Sequence, residues 1–520
     1  MKAFLMYPDR DFHLQKDLPP NEADLTSDLE LNVLLLAMAD GDKFLFDVAR
    51  LGAHSGLTSL QEIAYRQHVL ADCIAHPEVV RDLYDLAVDA INAEKKTLGW
   101  ALFRDSPESI VHRAPQLLKL YVDAFRRLKG ITDAHAAGFG SQGFTRFFAM
   151  IAQELGDEYL AEIEAHISEL AFRRGTLLSA KLGNGNKGTG YVVRRQPDQG
   201  WRNRLPGMNK NRNGYAFYIA ERDEAGMRTL SDLTGRGLNG TANALAQSTD
   251  HIKSFFKMLR AELGFYLGCL NLRDRLMAKG QPVCFPDPIG PPQASAGHTR
   301  LSARGLYDAS LALSLGEARA VGNDVAADGK RLIMITGANH GGKSTFQRSA
   351  GLAQLMMQAG MFVAAESFTA TVSTGIFTHF KREEDATMEK GKLDEELDRM
   401  SVIAGQIRAG ALLLCNESFA STNEREGSEI ARQVIRALTE AGIRIIFVTH
   451  MYDLAERQYA AHDPAALFLR AERRPDGQRT FRVPPGQPLP TSYGEDLYQQ
   501  VFASADTQAA GSCRSSPAGS

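Results

Sequence analysis

Residues 332–345 read Leu-Ile-Met-Ile-Thr-Gly-Ala-Asn-His-Gly-Gly-Lys-Ser-Thr, an apolar run followed by a glycine-rich turn. The run from Leu332 to Ile335 is short and apolar at successive positions, which is typical of a strand buried on both faces of a parallel sheet. Beyond the turn, apolar residues recur at helical spacing from Phe346 to Ala359, and Gly360 follows as a helix-ending glycine. The stretch therefore predicts a strand, a loop and a helix in succession.

The loop in this stretch has the composition of a phosphate-binding loop. Its glycines let backbone N–H groups approach a polyphosphate, and the new helix presents its positive N-terminal end. Lys343 is placed to reach the β- and γ-phosphates, and Ser344 can offer its hydroxyl to Mg²⁺. We predict a nucleotide site with Mg²⁺ as cofactor, formed by Gly337, Asn339, Gly341, Gly342, Lys343, Ser344 and Thr345.

Composition limits the compartment and the class of protein. A chain of 520 residues is long enough for about two to four domains, and its net charge of −3 gives no overall basic signal for nucleic acid. Five cysteines without CxxC spacing indicate reduced thiols and argue against zinc. The N-terminus lacks a signal sequence, and the early apolar run Val33 to Ala39 is too short to cross a bilayer. We predict a cytoplasmic protein with no membrane partner.

Helical periodicity dominates the first half of the chain. We predict an N-terminal helical region over residues 1–110 and a helical core or lever domain over residues 111–285. Apolar and aromatic residues recur at three- and four-residue steps between 110 and 182, as in long amphipathic helices. A further apolar stripe from Ile252 to Leu270 predicts a long helix that packs against other helices.

Changes in composition mark the remaining boundaries. A basic, loop-rich insertion is predicted over residues 181–214, where Asp198 is the single acidic residue between Lys181 and Arg212. Prolines between 282 and 292 precede alternating strand and helix patterns, which predict an α/β domain over residues 286–504. Small and polar residues predict a disordered tail over residues 505–520.

Two further strands are predicted to end in residues that can perform chemistry. The apolar run from Ala411 to Cys415 is followed by Asn416 and Glu417, and the run from Ile443 to Thr449 is followed by His450. Side chains at the carboxyl ends of parallel strands converge on one crevice, so these residues can face Lys343. We predict that Glu417 orients the attacking water as a general base and that Asn416 assists Ser344 at the metal. His450 is placed to sense the γ-phosphate.

Taken together, these motifs resemble the MutS family of ATPases, a dimeric branch of the ABC-type ATPases. Thr336 to Thr345 is similar to the family's TGPNxGGKST loop, and Glu417 to Thr422 is similar to its acidic strand end and dimer-facing ST loop. Phe447 to His450 resembles the FATH segment, Ser492 to Gly494 the late SYG turn, and Leu45 to Val48 the opening of the helical core. The likeness covers most of the chain.

The resemblance implies a mixed fold, with an α-helical core or lever domain followed by an α/β ABC-type P-loop ATPase domain. It also implies ATP as the nucleotide and a homodimer or a heterodimer with a family member. Two subunits would pair head to tail around two nucleotides, and Ser421, Thr422 and Glu396 would contribute to the contact between them. Nucleotide state would then open or close helical levers around nucleic acid.

Four departures from the family pattern qualify this expectation. Asn416 stands where the family has Asp, which affects Mg²⁺ handling. Of the family's signature loop, the segment from Lys390 to Leu397 keeps only Glu396, and residues 319–330 contain no aromatic side chain to stack on adenine. None of the 26 phenylalanines is followed two positions later by Glu, and only about forty residues precede the core, so direct mismatch reading by a Phe-x-Glu wedge is not expected.

Two functions follow from these patterns. The first is an ATPase that acts as a nucleotide-gated DNA clamp in mismatch-repair-like DNA repair or in recombination, recognising DNA structure rather than sequence. Its basic insertion would contact phosphates, and nearby aromatic residues such as Trp201 either stack on bases or anchor a small hydrophobic cluster. The second is a dimeric scaffold with little hydrolysis that binds protein or ribosomal partners, in which case the insertion is a solvated loop. The candidate DNA contacts are Arg194, Arg195, Arg202 and Arg204.

Overall fold

The computed structural model describes residues 1–98, 107–170, 172, 176–194, 218–220, 222–290, 299–382 and 391–490. The chain divides into two compact units. The helical unit comprises residues 1–4 and 78–263, and the sheet unit comprises residues 5–77 and 264–520. Within the described ranges, no helix is both long enough and apolar enough to cross a membrane.

The helices of the described residues are numbered in chain order. Most are amphipathic, and several begin at a side-chain cap, such as Asp42, Ser59 and Ser141. Their bounds are α1 Glu22–Asp28, α2 Leu31–Ala39, α3 Lys43–Ala53, α4 Leu60–Ala75, α5 Pro77–Leu98, α6 Pro107–His135, α7 Gln142–Glu154, α8 Asp157–Leu170, α9 Glu224–Ala278, α10 Ala309–Ser314, α11 Lys343–Gln358, α12 Lys392–Gln406, α13 Glu424–Glu440 and α14 Tyr452–Ala460.

The strands of the described residues fall into three sheets, a hairpin in the helical unit and two sheets in the sheet unit. Their bounds are β1 Leu177–Leu182, β2 Gly188–Arg194, β3 Asp287–Ile289, β4 Leu301–Leu306, β5 Asn323–Ala326, β6 Leu332–Gly337, β7 Ser367–Thr371, β8 Ile376–Phe380, β9 Leu412–Asn416, β10 Arg444–Val448 and β11 Ala466–Ala471.

Aromatic packing between helices forms the core of the helical unit. On α6 and α9, the rings of Phe125 and Phe256 stack with their centroids 5.4 Å apart, and Tyr121 also stacks on Phe256 at 6.1 Å. Phe256 and Leu259 are fully buried. These contacts confirm the prediction that the apolar stripe from Ile252 to Leu270 belongs to a long helix that packs against other helices.

The helical unit also contains a hairpin that the sequence patterns did not predict. Strands β1 and β2 pair antiparallel, whereas helix was expected up to residue 182 and loop beyond it. The turn holds Gly185 at φ 69°, a conformation that favours glycine. β-branched and aromatic residues from Thr189 to Val193 then favour extended backbone. The hairpin packs on α9, since a Cβ on Gly237 would lie 2.5 Å from Leu178 Cδ2.

A parallel five-stranded sheet is the centre of the sheet unit. Its strand order is β11-β6-β10-β9-β8, and every neighbouring pair runs parallel. All residues of β10 are buried, as are the first four of β9 and the first five of β6. Continuous apolar runs form these strands because both faces of the sheet are covered. The predicted strands around 332–335, 411–415 and 443–449 are thereby confirmed.

A second sheet and the N-terminal residues complete the sheet unit. The second sheet has the order β3-β7-β4-β5, with β4 antiparallel to both of its neighbours. Residues of the N-terminal segment bond directly to elements of the main sheet and its helices. Asn21 Nδ2 donates to the carbonyl oxygen of Ile376 at 2.7 Å, and Arg348 of α11 forms ion pairs with Glu30 and Asp308.

Candidate functional site

The loops that carry the predicted site all leave the same edge of the parallel sheet. Val448 pairs with Ile335 on one side and with Asn416 on the other, so β6, β10 and β9 end at the same level. The glycine-rich loop, Asn416 with Glu417, and His450 follow these ends directly. The sheet thus brings together the three groups of residues that were predicted from separate sequence motifs.

The glycine-rich loop has a backbone that requires glycine at two positions. Gly337 has φ 109°, and a Cβ there would lie 2.9 Å from the backbone nitrogen of Ala471. Gly342 has φ 92° and directly precedes α11, and a Cβ there would lie 3.2 Å from the carbonyl oxygen of Phe481. Larger residues would strain the backbone and collide with neighbouring chain. Asn339 is half-buried in this loop and Thr345 is half-buried in the first turn of α11.

Lys343 lies at the start of α11 and is 5% exposed. Its ammonium donates to the carbonyl oxygens of Gly337 and Ala338, each at 3.0 Å. Burial lowers the pKa of Lys343 to about 8, and the charge of Glu417 opposes that shift. An ammonium has three N–H donors. Two of them hold the loop here, which leaves a third for a ligand oxygen.

Ser344 and Asn416 bring two uncharged oxygens together. Ser344 Oγ donates to Asn416 Oδ1 at 3.0 Å, and both residues are half-buried. Because the hydroxyl donates its hydrogen to the amide oxygen, its lone pairs point away from Asn416 and stay available. Oxygen ligands of this kind suit Mg²⁺, which keeps much of its water and takes further ligands from phosphates. The pair therefore fits the predicted metal role.

Glu417 and His450 form a hydrogen-bonded contact beside the loop. Glu417 Oε1 lies 2.8 Å from His450 Nε2, and each side chain is 31% exposed. The hydrogen bond from His450 lowers the pKa of Glu417, so its carboxylate stays ionised at neutral pH. Glu417 also has φ 54°, a sparsely populated conformation that points to a constrained position. The two residues predicted to act on the γ-phosphate thus contact one another.

The residues predicted to face a second subunit bond within this chain. Ser421 Oγ donates to Glu396 Oε1 at 2.9 Å, so the structure places these two together. Thr422 Oγ1 instead donates to Glu426 Oε2 at 2.6 Å. Glu396 is 5% exposed, and burial raises its pKa. The contribution of these side chains to a contact between subunits stays a prediction.

Two residues near the loop were missed in the sequence analysis. Phe481 lies beside Gly342, has φ 58° and is 49% exposed. Its carbonyl oxygen accepts from Asn323 Nδ2 at 3.2 Å, which holds the segment in place. The charge of Arg479 helps to lower the pKa of Lys343, so this guanidinium lies near the loop. Both residues lie far downstream of the loop in sequence, and long-range contacts of this kind leave no local pattern.

Two of the cavities formed by the described residues lie in the sheet unit. One of about 210 Å³ adjoins the site and is lined by Gly337, His450, Tyr452 and Pro488, among others. The other, of about 660 Å³, lies by the first residue of β8 and the last residue of α11, Ile376 and Gln358. The larger cavity is therefore remote from the predicted chemistry, which belongs to the opposite edge of the sheet.

The candidate DNA contacts are only partly described. Arg194 is exposed on β2, and its Nε donates to Ser179 Oγ at 2.8 Å. Arg195, Arg202 and Arg204 lie outside the described residues, as do Trp201 and the segment from Ser492 to Gly494. The role of the basic stretch stays a prediction.

Comparisons with known proteins match both halves of the chain. A family model described as the MutS2 N-terminal domain matches residues 58–279, and one described as MutS domain V matches residues 333–495. The chain is similar to the DNA mismatch repair protein MutS of Thermotoga sp. (strain RQ2), with 34% identity over 137 residues, 26% of this chain and 17% of that protein.

Two further relatives give the same result. The DNA mismatch repair protein MutS of Desulforamulus reducens is 37% identical over 178 residues, covering 31% of this chain and 20% of the relative. The protein of the same name from Thermus aquaticus is 33% identical over 169 residues, covering 32% and 20%. The chain thus spans about a fifth of the length of these relatives.

Proposed function

Because the chain belongs to the MutS family, we propose that it binds and hydrolyses ATP and acts as a nucleotide-gated clamp on DNA in repair or recombination. One observation carries the proposal. Three groups lie at one edge of the parallel sheet: the loop with Lys343, the Ser344–Asn416 oxygen pair and the Glu417–His450 pair. These are the parts that phosphoryl transfer to water needs, since its catalysis is mainly positioning and charge neutralisation.

The loop is proposed to bind the triphosphate. Backbone N–H groups of the residues from Gly337 to Gly342 and the positive end of α11 would face the phosphate oxygens. Lys343 would supply its remaining N–H donor and its positive charge to them. Contact with an anion would also stabilise the charged ammonium, whose pKa is lowered by burial in the protein alone. This is how one side chain can hold the loop and the ligand together.

Ser344 and Asn416 are proposed to hold the magnesium ion together with the phosphates. When bound, the ion would neutralise charge that develops on the phosphate oxygens. Asn416 accepts the Ser344 hydrogen as a carboxylate would, but it adds no negative charge. We infer that magnesium binds here only with ATP.

Glu417 is proposed to be the general base. Its ionised carboxylate would accept a proton from the water that attacks the γ-phosphorus, while the bond to the leaving oxygen breaks. His450 donates to Glu417 at 2.8 Å and so fixes where that carboxylate points. Because both side chains are about a third exposed, a phosphate and a water molecule can reach them. The same histidine would contact the γ-phosphate and report its presence.

The nucleobase is proposed to lie against Phe481. An exposed aromatic ring beside Gly342 offers an apolar face at the end of the loop. The nearby guanidinium of Arg479 would add positive charge beside the phosphates. Together they supply the base contact for which residues 319–330 offer no aromatic side chain.

DNA and a second subunit are the proposed partners. The basic residues around Arg194 would contact backbone phosphates, which gives affinity without sequence information. Head-to-tail pairing with another family chain would place Ser421 and Thr422 near the partner's nucleotide. The proposed domains are those expected from the sequence, with the lever and its insertion over residues 111–285 and the ATPase over residues 286–504.

Steady-state ATP hydrolysis with Mg²⁺, measured with and without DNA, tests the proposal. We expect hydrolysis that DNA stimulates, together with DNA binding that weakens steeply as salt rises. Gel shifts with mismatched, branched and plain duplexes in the presence and absence of ATP would then identify the DNA structure. Absence of ATP binding in calorimetry with the purified protein would refute the proposal.

Asn416 favours a second candidate function. If the neutral amide supports magnesium poorly, the protein would bind ATP, dimerise and recruit protein or ribosomal partners with little hydrolysis. Tight ATP binding with a turnover that DNA does not change would favour this scaffold over the clamp. A Glu417→Gln variant distinguishes the two, because it prolongs the ATP-bound dimer only where hydrolysis occurs.

A further inference from the structure

Next to Glu417 lies a buried set of polar side chains that none of the motifs predicted as a unit. His379 at the end of β8 and Ser418 are 0% exposed, and Glu396 of α12 is 5% exposed. His379 Nδ1 lies 2.7 Å from Ser418 Oγ, and His379 Nε2 lies 3.0 Å from the carbonyl oxygen of Glu396. Ser421 bonds to the Glu396 carboxylate. We call the four residues His379, Ser418, Glu396 and Ser421 the clasp.

The hydrogen-bond partners of His379 define its protonation. The carbonyl oxygen of Glu396 can only accept, so His379 Nε2 must carry the hydrogen and donate it. A neutral ring then has a lone pair on Nδ1, and the single hydrogen of the Ser418 hydroxyl is shared between this lone pair and the backbone carbonyl oxygen of His379, each 2.7 Å from Ser418 Oγ. Burial lowers the pKa of His379 to about 4, so the ring is neutral at physiological pH. Both ring nitrogens are therefore satisfied, and each joins a different element.

The clasp connects α12 to the segment that carries Glu417. His379 joins the backbone of Glu396 to Ser418, the residue after Glu417, and the carboxylate of Glu396 joins α12 to Ser421. The ring of Phe419 also stacks on His379, with centroids 5.5 Å apart. Two residues of this segment have left-handed backbone, Glu417 with φ 54° and Phe419 with φ 63°. Such conformations persist only where surrounding contacts hold them.

We propose that His379 is a positioning residue for ATP hydrolysis, which fixes Glu417 through Ser418 and couples its position to α12. This inference rests on the proposed ATPase activity and concerns the same site. His379 does not touch the substrate in this arrangement. A displacement of α12 reaches the segment with Glu417 through the imidazole and through the Glu396–Ser421 bond, and a misplacement of about 1 Å at a general base can cost roughly a hundredfold in rate.

Three substitutions at His379 separate its two contacts. In His379→Asn the amide oxygen stands near the position of Nδ1 and accepts from Ser418. In His379→Gln the amide nitrogen stands near the position of Nε2 and donates to Glu396. His379→Leu keeps neither contact. We expect kcat to fall about 10- to 100-fold in the Leu variant, with KM and the Kd for ATP within twofold of wild type.

The rescue by Asn gives the sharper result. Because Ser418 is the residue joined to Glu417, His379→Asn should keep kcat within about threefold of wild type and His379→Gln should be at least about threefold slower than Asn. Equal rates for Asn and Gln, or a faster Gln variant, would overturn the proposal. So would an unchanged kcat in His379→Leu, or a loss that appears in KM alone. If the Leu variant does not fold, the comparison of Asn with Gln decides.

Amide hydrogen exchange distinguishes failure of this inference from failure of the proposed function. If the wild-type protein hydrolyses no ATP, the ATPase proposal fails, and the clasp is then judged by exchange in a peptide spanning residues 417–422. We expect about threefold faster exchange in His379→Leu than in His379→Asn, because the Ser418 hydroxyl then loses its ring contact and keeps only its bond to the backbone carbonyl oxygen of residue 379. Identical exchange in the two variants would refute the clasp whatever the protein's activity.

Discussion

Two histidine contacts flank the backbone of the same short segment, and they differ in burial. His450 meets the side chain of Glu417 where both side chains are 31% exposed, whereas His379 meets Ser418 at 0% exposure. The exposed contact leaves room for water and phosphate, so its geometry can change with the ligand. The buried contact admits neither, and the Ser418 hydroxyl bonds only within the protein, to the ring and the backbone carbonyl oxygen of His379. The difference indicates that His450 belongs to the reacting groups, whereas His379 holds the segment that carries Glu417 in position.

This comparison explains why both kinds of contact occur within two residues. A general base must reach substrate, so its side chain has to stay partly exposed. His450 orients that side chain, and the backbone of Glu417 is held separately, since its N–H donates to the carbonyl oxygen of Val448 at 2.9 Å. The clasp adds a buried anchor at the next residue, with members from β8, α12 and the segment after β9.

Substitution of Glu417 by Gln should have the largest effect on rate. The amide cannot accept the proton from water, so we expect kcat to fall about 10²- to 10⁴-fold while ATP still binds. Single-turnover hydrolysis with Mg²⁺ measures the loss. Glu440→Gln is the matched control, because that exposed glutamate forms an ion pair with Arg436 on the surface of α13. A loss below about fivefold in Glu417→Gln would exclude this residue as the base.

Substitution of Lys343 by Ala should weaken ATP binding more than it slows the hydrolysis of bound ATP. The variant loses a charged hydrogen bond to phosphate and both bonds to the loop carbonyls, so we expect ATP affinity to drop by more than about a hundredfold. Calorimetry with ATP measures the change. Lys330→Ala is the control, since Lys330 bonds to the carbonyl oxygen of Pro464 away from the loop. The His379→Asn variant should bind ATP with normal affinity. An equal loss of ATP affinity in this variant would contradict the view that Lys343 contacts the nucleotide whereas His379 only positions other residues.

Much of the site was predictable because it is local in sequence. The loop from Gly337 to Thr345 needs glycine at fixed positions, and the strand ends at Asn416 and His450 follow continuous apolar runs. Parallel pairing then brings those ends together whatever their separation along the chain. The structure confirmed the strands and the long packed helix for this reason.

What could not be predicted depends on contacts between distant residues. His379 lies in an ordinary strand pattern, and nothing in residues 376–380 shows that its ring meets Ser418. Phe481 reaches Gly342 only because the segment after β11 folds back onto the loop. Residues 5–77 share a unit with residues 264–520 through pairs such as Glu30 with Arg348. Hydrophobic periodicity shows which face of a helix or strand is buried, but it does not show which other element covers that face.

The buried histidine should make stability depend on pH. Its folded pKa of about 4 lies below the ordinary 6.5, so the unfolded chain binds more protons between these values. Stability contributed by neutral His379 is fully present above pH 6.5 and is lost as pH falls to 4. Since one pKa unit corresponds to about 1.4 kcal/mol, the unfolding free energy lost over this range is about 3 kcal/mol.

Urea unfolding of wild type and His379→Asn at pH 7, 5.5 and 4 measures this dependence. We expect the wild-type protein to lose about 3 kcal/mol more than the variant across the range, because asparagine does not titrate. The exposed His462 provides the control, and His462→Asn should follow the wild-type curve. Parallel curves for wild type and His379→Asn would show that the ring protonates without breaking the clasp, contrary to its proposed rigidity.

The smallest expected effect concerns the oxygen pair on the exposed side of the comparison. In Asn416→Asp, a carboxylate would accept from Ser344 as the amide does at 3.0 Å and would add a negative charge beside the metal position. We expect the Mg²⁺ concentration for half-maximal ATP hydrolysis to fall about three- to tenfold, which corresponds to roughly 1 kcal/mol of charge interaction in a partly solvated site. Asn416→Ala should raise that concentration, because the Ser344 hydroxyl loses its acceptor. If Asp and Ala shift the requirement in the same direction, Asn416 does not face the ion and the scaffold function gains weight. If they shift it in opposite directions, Asn416 faces the ion and its amide oxygen takes part in holding the metal beside Ser344.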